Sequence, residues 1–142
     1  MSEQNFQNHT RWVTGYHFVT LGLIGLLLIG SLVNLFHSTH SNLYSASLIC
    51  LVCIILALLA AFVRQFPLKV QDRAIRAEEN LRHYVMTGKL LDKHLSMGQI
   101  IALRFASDEQ FVDLANKAVQ EKMTPKEIKK AIRIWRVDYH RA

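Results

Sequence analysis

The chain has 142 residues, 51% of them hydrophobic, and a formal net charge of +6. Such a length leaves room for one small domain at most once membrane segments are set aside. No G-x-S-x-G, glycine-rich phosphate loop or H-E-x-x-H occurs, so no catalytic residue, cofactor or metal is expected and the protein reads as a non-enzyme.

Residues 1–14 form a polar tail in which Phe6 and Trp12 suggest an approach to a membrane interface. From Gly15 to Phe36 there is no Asp, Glu, Lys or Arg, and the same holds from Leu43 to Val63. At about 1.5 Å rise per residue each run spans roughly 30 Å, the thickness of a bilayer's hydrocarbon core. Residues 15–36 and 43–63 are therefore expected to be two transmembrane helices, joined by the external loop "HSTHSN" (37–42). A cleaved signal peptide fits the first run poorly: Arg11 is its only basic flank, the run is long, and no A-x-A-like site follows.

Of the 17 Lys and Arg residues, Arg11 alone precedes the first run, none lies in the loop, and the others follow the second. The positive-inside rule then places both termini in the cytoplasm. Small residues offer the packing face in lipid. In the second run Ala46, Cys50, Cys53, Ala57, Ala60 and Ala61 share one side. Gly15, Gly22, Gly25 and Gly30 provide a broader face in the first. Mating these two faces is the economical arrangement, with self-association through one of them as the alternative. The Cys-x-x-Cys spacing has no second pair or nearby base, so the cysteines are expected to pack rather than react. His37 and His40 are two imidazoles where a metal site wants three or four ligands. The isolated His17 suggests an interfacial hydrogen bond rather than a haem ligand.

Residues 64–88 turn abruptly charged. Pro67 is expected to interrupt or re-aim the helix leaving the membrane, and a juxtamembrane amphipathic helix follows. Lys69, Arg73, Arg76, Asn80 and His83 share a polar face, beside an apolar stripe of Val70, Ala74, Ala77, Leu81, Tyr84 and Val85. Asp72–Arg76 and Glu78–Arg82 stand at helical pair spacing. Arg64, Lys69, Arg73 and Arg76 are placed to contact anionic lipid headgroups. The apolar stripe is expected to dock on the C-terminal residues, a partner or a second copy.

Residues 89–142 should form a small helical cluster. "SMGQIIALRFA" (96–106), "SDEQFVDLANKAVQEK" (107–122) and "TPKEIKKAIRIWRVDYHRA" (124–142) each open on a capping residue, Ser96, Ser107 or Thr124, with Gln or Glu three positions later. The last helix would set Lys126, Lys129, Lys130, Arg133 and Arg136 opposite Ile128, Ala131, Ile132, Trp135 and Tyr139, as a surface for a partner or for lipid. The fold class is thus all-α: a transmembrane helical hairpin, an amphipathic helix and a small cytoplasmic cluster.

"FPLKVQDRAIRAEENLRHY", "IALRFASDEQ", "TPKEIKKAIRIWRVDYHR" and "NHTRWVTGYHF" resemble a family of small bacterial membrane proteins known as a domain of unknown function. The likeness covers nearly the whole chain and implies a bacterial cytoplasmic membrane, but carries no activity, ligand or catalytic residue. The leading expectation is a non-enzymatic scaffold or accessory protein presenting a basic helical tail, with anionic lipid and a protein partner or homo-oligomer as its contacts. A membrane-tethered nucleic-acid or regulatory binder using a helix-turn-helix-like segment, residues 107–142, is the alternative. An oligomeric channel or transporter subunit ranks third, disfavoured because neither run carries a charged residue, although His17, Ser31 and Asn34 could line a polar path.

Overall fold

The computed structural model describes residue 6 and residues 13–137. Among these, the protein is all-helical. A π-helical segment, Gly15–Thr20, leads into α1 (Leu21–His37), followed by α2 (Leu43–Thr87), α3 (Met97–Leu103), α4 (Asp108–Gln120) and α5 (Pro125–Ala131). Two compact units divide the chain, with the boundary between Phe66 and Pro67, inside α2. Arg11, Trp12 and Tyr139 lie outside the described residues.

In the first unit α1 and the first half of α2 form the expected hairpin. Ala46, Cys50, Cys53 and Ala60 are buried and Ala57 half-buried, whereas Ala61 is exposed. The small-residue face of the second helix is therefore a real contact surface. Its partner is not the glycine face. A Cβ added at Gly15, Gly22, Gly25 or Gly30 would meet nothing within 4 Å. Instead Ile24, Leu28, Ser31 and Leu35 are withdrawn from solvent. Bulky side chains fill the groove that alanine and cysteine leave open, where glycine would leave a void without dispersion contacts. Cys53 Sγ lies 3.9 Å from the Leu27 carbonyl oxygen, and the Tyr16 hydroxyl donates to the carbonyl of Ala60. Ser31, the buried polar residue of α1, donates to Leu28 O at 2.8 Å and so brings no unmet donor into the contact.

Outside this seam the hairpin is apolar and open. Both helices are long and apolar enough to cross a membrane, and only 6% of the apolar stretch of the first and 22% of the second is buried. Leu26, Ile29, Phe36, Leu51 and Leu58 all point away from protein.

Helix α2 continues through Pro67 to Thr87, so the expected interruption does not occur. Proline removes one backbone donor and crowds the carbonyl four residues back, and flanking turns on either side carry the helix past that gap. It ends at Gly88, whose φ of 73° is a conformation that suits glycine. The Gly88 amide closes the last turn on Tyr84 O at 2.8 Å.

The C-terminal unit has a continuous core. Phe105, Phe111, Leu103 and Ile128 are fully buried, joined by Leu91, Leu95, Ile100, Leu114 and Ile132, with Ile75 reaching in from α2. The capping boxes at Ser96–Gln99 and Thr124–Glu127 form as expected. Gly98 sits where a Cβ would come 3.1 Å from Pro125 Cγ, so it allows the starts of α3 and α5 to approach closely.

Two expectations fail here, and they share a cause. Ser107 precedes α4 but makes no capping hydrogen bond. The predicted helix over residues 124–142 stops at Ala131, and Ile132 is extended. Residues 133–136 run antiparallel beside the α3–α4 turn, with Ala106 bridging to Trp135, Ser107 N–H on Ile134 O at 3.2 Å and Arg136 N–H on Phe105 O at 2.7 Å. The Gln110 amide joins them, accepting from Arg133 N–H and donating to Ile134 O, both at 3.1 Å. Gln110 is thus occupied by the returning chain, and the β-branched and aromatic residues of "IRIWRV" favour that extended path.

Packing of the hairpin is tested by Cys53→Leu against Gly22→Ala. Overfilling the Cys53 site is expected to destabilise the detergent-solubilised hairpin by about 1–3 kcal/mol. Gly22→Ala should be neutral or slightly stabilising, since its Cβ meets open space and alanine favours helix. Thermal unfolding followed by circular dichroism reads both.

Candidate functional site

The polar centre of the C-terminal unit is an ion-pair network on α2. Glu79 and Arg82 stand three residues apart on one face, with side chains only 6% and 9% exposed. Arg82 Nη1 donates to Glu79 Oε2 at 3.0 Å, Nε to Asp108 Oδ1 at 2.8 Å and Nη2 to Ala106 O at 2.7 Å. The guanidinium also lies over the Phe111 ring, 4.1 Å from its centroid. Asp108 opens α4, where a negative charge complements the helix dipole. Arg136 Nη1 approaches the second Glu79 oxygen at 3.9 Å. One arginine therefore ties α2 to the start of α4 and to the α3–α4 turn.

His83, one turn further along α2, is also buried. Its Nδ1 lies 2.7 Å from Lys89 O, which can only accept, so Nδ1 carries the proton. Asn80 Oδ1 accepts from Leu91 N–H at 3.1 Å. Beside His83 an open groove of about 350 Å³ runs past Leu91, Leu95, Ala115, Asn116 and Val119.

The sequence-predicted faces are thereby reassigned. Glu79, Arg82 and His83 face the core of the unit, with Ile75. Val70, Leu81, Tyr84 and Val85 are exposed, as are Ala74 and Ala77. The apolar stripe does not dock on the C-terminal cluster. Arg82 bonds Glu79 and Asp108 rather than Glu78, so the anticipated Glu78–Arg82 pair gives way to a better-buried one. Nor does an Asp72–Arg76 pair form among the described residues. Sequence periodicity had no means of marking this inversion, because the partners of Arg82 lie 24 and 26 residues away.

Among the other candidates, Lys69, Arg73 and Arg76 are exposed and Arg64 half-buried. Lys126, Lys129 and Lys130 remain on α5, but Arg133 and Arg136 lie beyond its end, so the five do not form one helical face. Lys129 Nζ sits 5.9 Å from the centroid of Phe105. His17 and His37 each place Nδ1 near the carbonyl four residues back, at 3.0 and 2.9 Å. Among the described residues no group of three His, Cys, Asp or Glu side chains is arranged to hold a metal. A helix-turn-helix would need a long basic second helix, whereas α5 has seven residues.

A family model described as Family of unknown function (DUF6526) matches residues 1–142. The chain belongs to this family. No curated protein and no solved structure matches it. The match bears out a family of unknown function as the source of the likeness in "IALRFASDEQ" and its companion segments, and it assigns no chemistry to the Arg82 network or to the groove.

Two tests follow. Arg82→Met leaves Glu79 buried without its main partner and is expected to destabilise the C-terminal unit by about 3–5 kcal/mol. Chemical denaturation read by Trp135 fluorescence, in a Trp12→Phe background, measures it. Glu127 is held below its ordinary value of 4.5, first by the Thr124 amide and then by the Thr124 hydroxyl. Its cap therefore stabilises α5 fully above the ordinary glutamate range, and that contribution is lost as pH falls through the lowered folded value. The protection of the Thr124 amide, its exchange corrected for the intrinsic rate at each pH, should persist at pH 4.5 and be lost only below it.

Proposed function

We propose that this protein is a non-enzymatic, membrane-anchored scaffold: a two-span hairpin holding a folded, basic helical unit at the cytoplasmic face. The observation that carries the proposal is the contrast between the two units. The hairpin leaves most of its apolar surface outside its own contacts, which in water would exceed what a soluble monomer tolerates. The C-terminal unit has a closed core and complete capping boxes at the starts of α3 and α5. Its buried charges are committed to each other, which suits a presented surface better than a reaction centre.

Charge supports the orientation. Arg64, Lys69, Arg73 and Arg76 follow directly on the second apolar run, where each adds about 1 kcal/mol of attraction to an anionic leaflet. The distribution of Lys and Arg favours an orientation with both termini in the cytoplasm, and the resemblance to small bacterial membrane proteins supports a bacterial cytoplasmic membrane as its place.

Thr39→Cys, in a Cys50→Ala/Cys53→Ala background, is expected to react with an impermeant maleimide in intact cells. Reaction only after cell breakage overturns the topology. For the lipid contact, Arg64, Lys69 and Arg76 are replaced by glutamine. Fewer anionic lipids should then co-purify with the protein in mild detergent, and an unchanged complement removes that role.

A further inference from the structure

The exposed stripe on α2 has an internal order. Val70, Ala74, Ala77, Leu81 and Tyr84 recur at steps of four, three, four and three, the spacing that keeps one seam of a helix facing a second helix. All five are exposed, on the side of α2 away from Ile75, Glu79 and His83. As a heptad, Ala74 and Leu81 occupy the a positions, and Val70, Ala77 and Tyr84 the d positions.

The flanking charges select the occupant. Arg73 falls at g and Glu78 at the following e, both exposed. Neither has an ion-pair partner among the described residues. In a parallel pair of helices, g side chains meet the following e side chains of the partner. Two copies of this segment therefore match Arg73 with Glu78 twice, once on each side of the two-fold axis. An antiparallel pair sets g against g and e against e, which brings no arginine to a glutamate.

We propose that residues 70–84 pair, parallel and in register, with the same segment of a second copy of this chain. Two alanines among five seam positions bring the helices close but bury little area, less than a stable soluble dimer needs. Confinement to one bilayer supplies the missing effective concentration and orients both copies alike, so the strength of pairing rests on the membrane reading.

The test uses the full chain in membranes, in a Cys50→Ala/Cys53→Ala background. Val70→Cys, Ala77→Cys and Tyr84→Cys should each oxidise to a disulfide-linked homodimer, and Arg76→Cys, exposed on another face, should not. Arg73→Glu should lower the dimer yield of Ala77→Cys several-fold, and adding Glu78→Arg should restore it. Cross-links only between mixed Val70→Cys and Tyr84→Cys chains would mean antiparallel pairing and overturn the proposal. Equal dimer at Arg76→Cys, no dimer at the three seam positions, or no rescue by the double charge swap would also overturn it. An alkaline wash run in parallel separates the two ideas: release of the chain overturns the membrane reading alone, and the same cross-links still decide the seam.

Discussion

A buried carboxylate three residues from a buried guanidinium decides which way α2 faces. Glu79 cannot be withdrawn from water without a cation, and Arg82 cannot be withdrawn without acceptors for its donors. Only one rotation of the helix gives both, because the remaining acceptors, Asp108 and the Ala106 carbonyl, belong to the start of α4 and the turn before it. Ile75 and His83 are carried inward on the same face. The exposed apolar residues and the basic residues Lys69, Arg73 and Arg76 are left outside as a consequence.

This arrangement trades greater hydrophobic burial for specificity. Turning Leu81 and Tyr84 inward would remove more apolar area from water, but it would strand Glu79 and Arg82 in solvent and leave the α3–α4 turn without its arginine. A buried pair adds little net stability against a hydrophobic replacement. What it supplies is a unique register, since sliding or rotating α2 unpairs charges. The apolar surface that remains exposed is then available to another chain. In the hairpin the logic differs, for α1 and α2 meet through bulky residues set into a row of alanines and cysteines, with no charge involved.

Much of the architecture was legible in the sequence because it is written in local signals. Uncharged runs of membrane length, capping boxes at Ser96 and Thr124, and the glycine stop at Gly88 each depend on residues within a few positions of one another. Features that depend on distant partners were not legible. Gln110 stands at capping distance from Ser107, yet its amide is taken by Arg133 and Ile134, and the pattern of Ile128, Ile132 and Trp135 suits a helix as well as a helix followed by an extended return. The glycines of the first apolar run suit close packing as small residues, although the groove opposite needed large ones. For the candidate site, composition identified the charged residues of α2 but not their partners, so neither the burial of Glu79 and Arg82 nor the exposure of the apolar stripe was legible.

The central claim is that α2 turns Ile75, Glu79, Arg82 and His83 inward and its apolar stripe outward. Unfolding of the C-terminal unit by denaturant, followed by Trp135 fluorescence at a detergent-to-protein ratio high enough to keep the chain monomeric, tests it through one comparison. Ile75→Asp should destabilise the unit by several kcal/mol, as burying an unpaired charge does, while Leu81→Asp should change it by less than about 0.5 kcal/mol, as an exposed substitution does. The reverse order, with Leu81→Asp damaging and Ile75→Asp tolerated, would contradict the account.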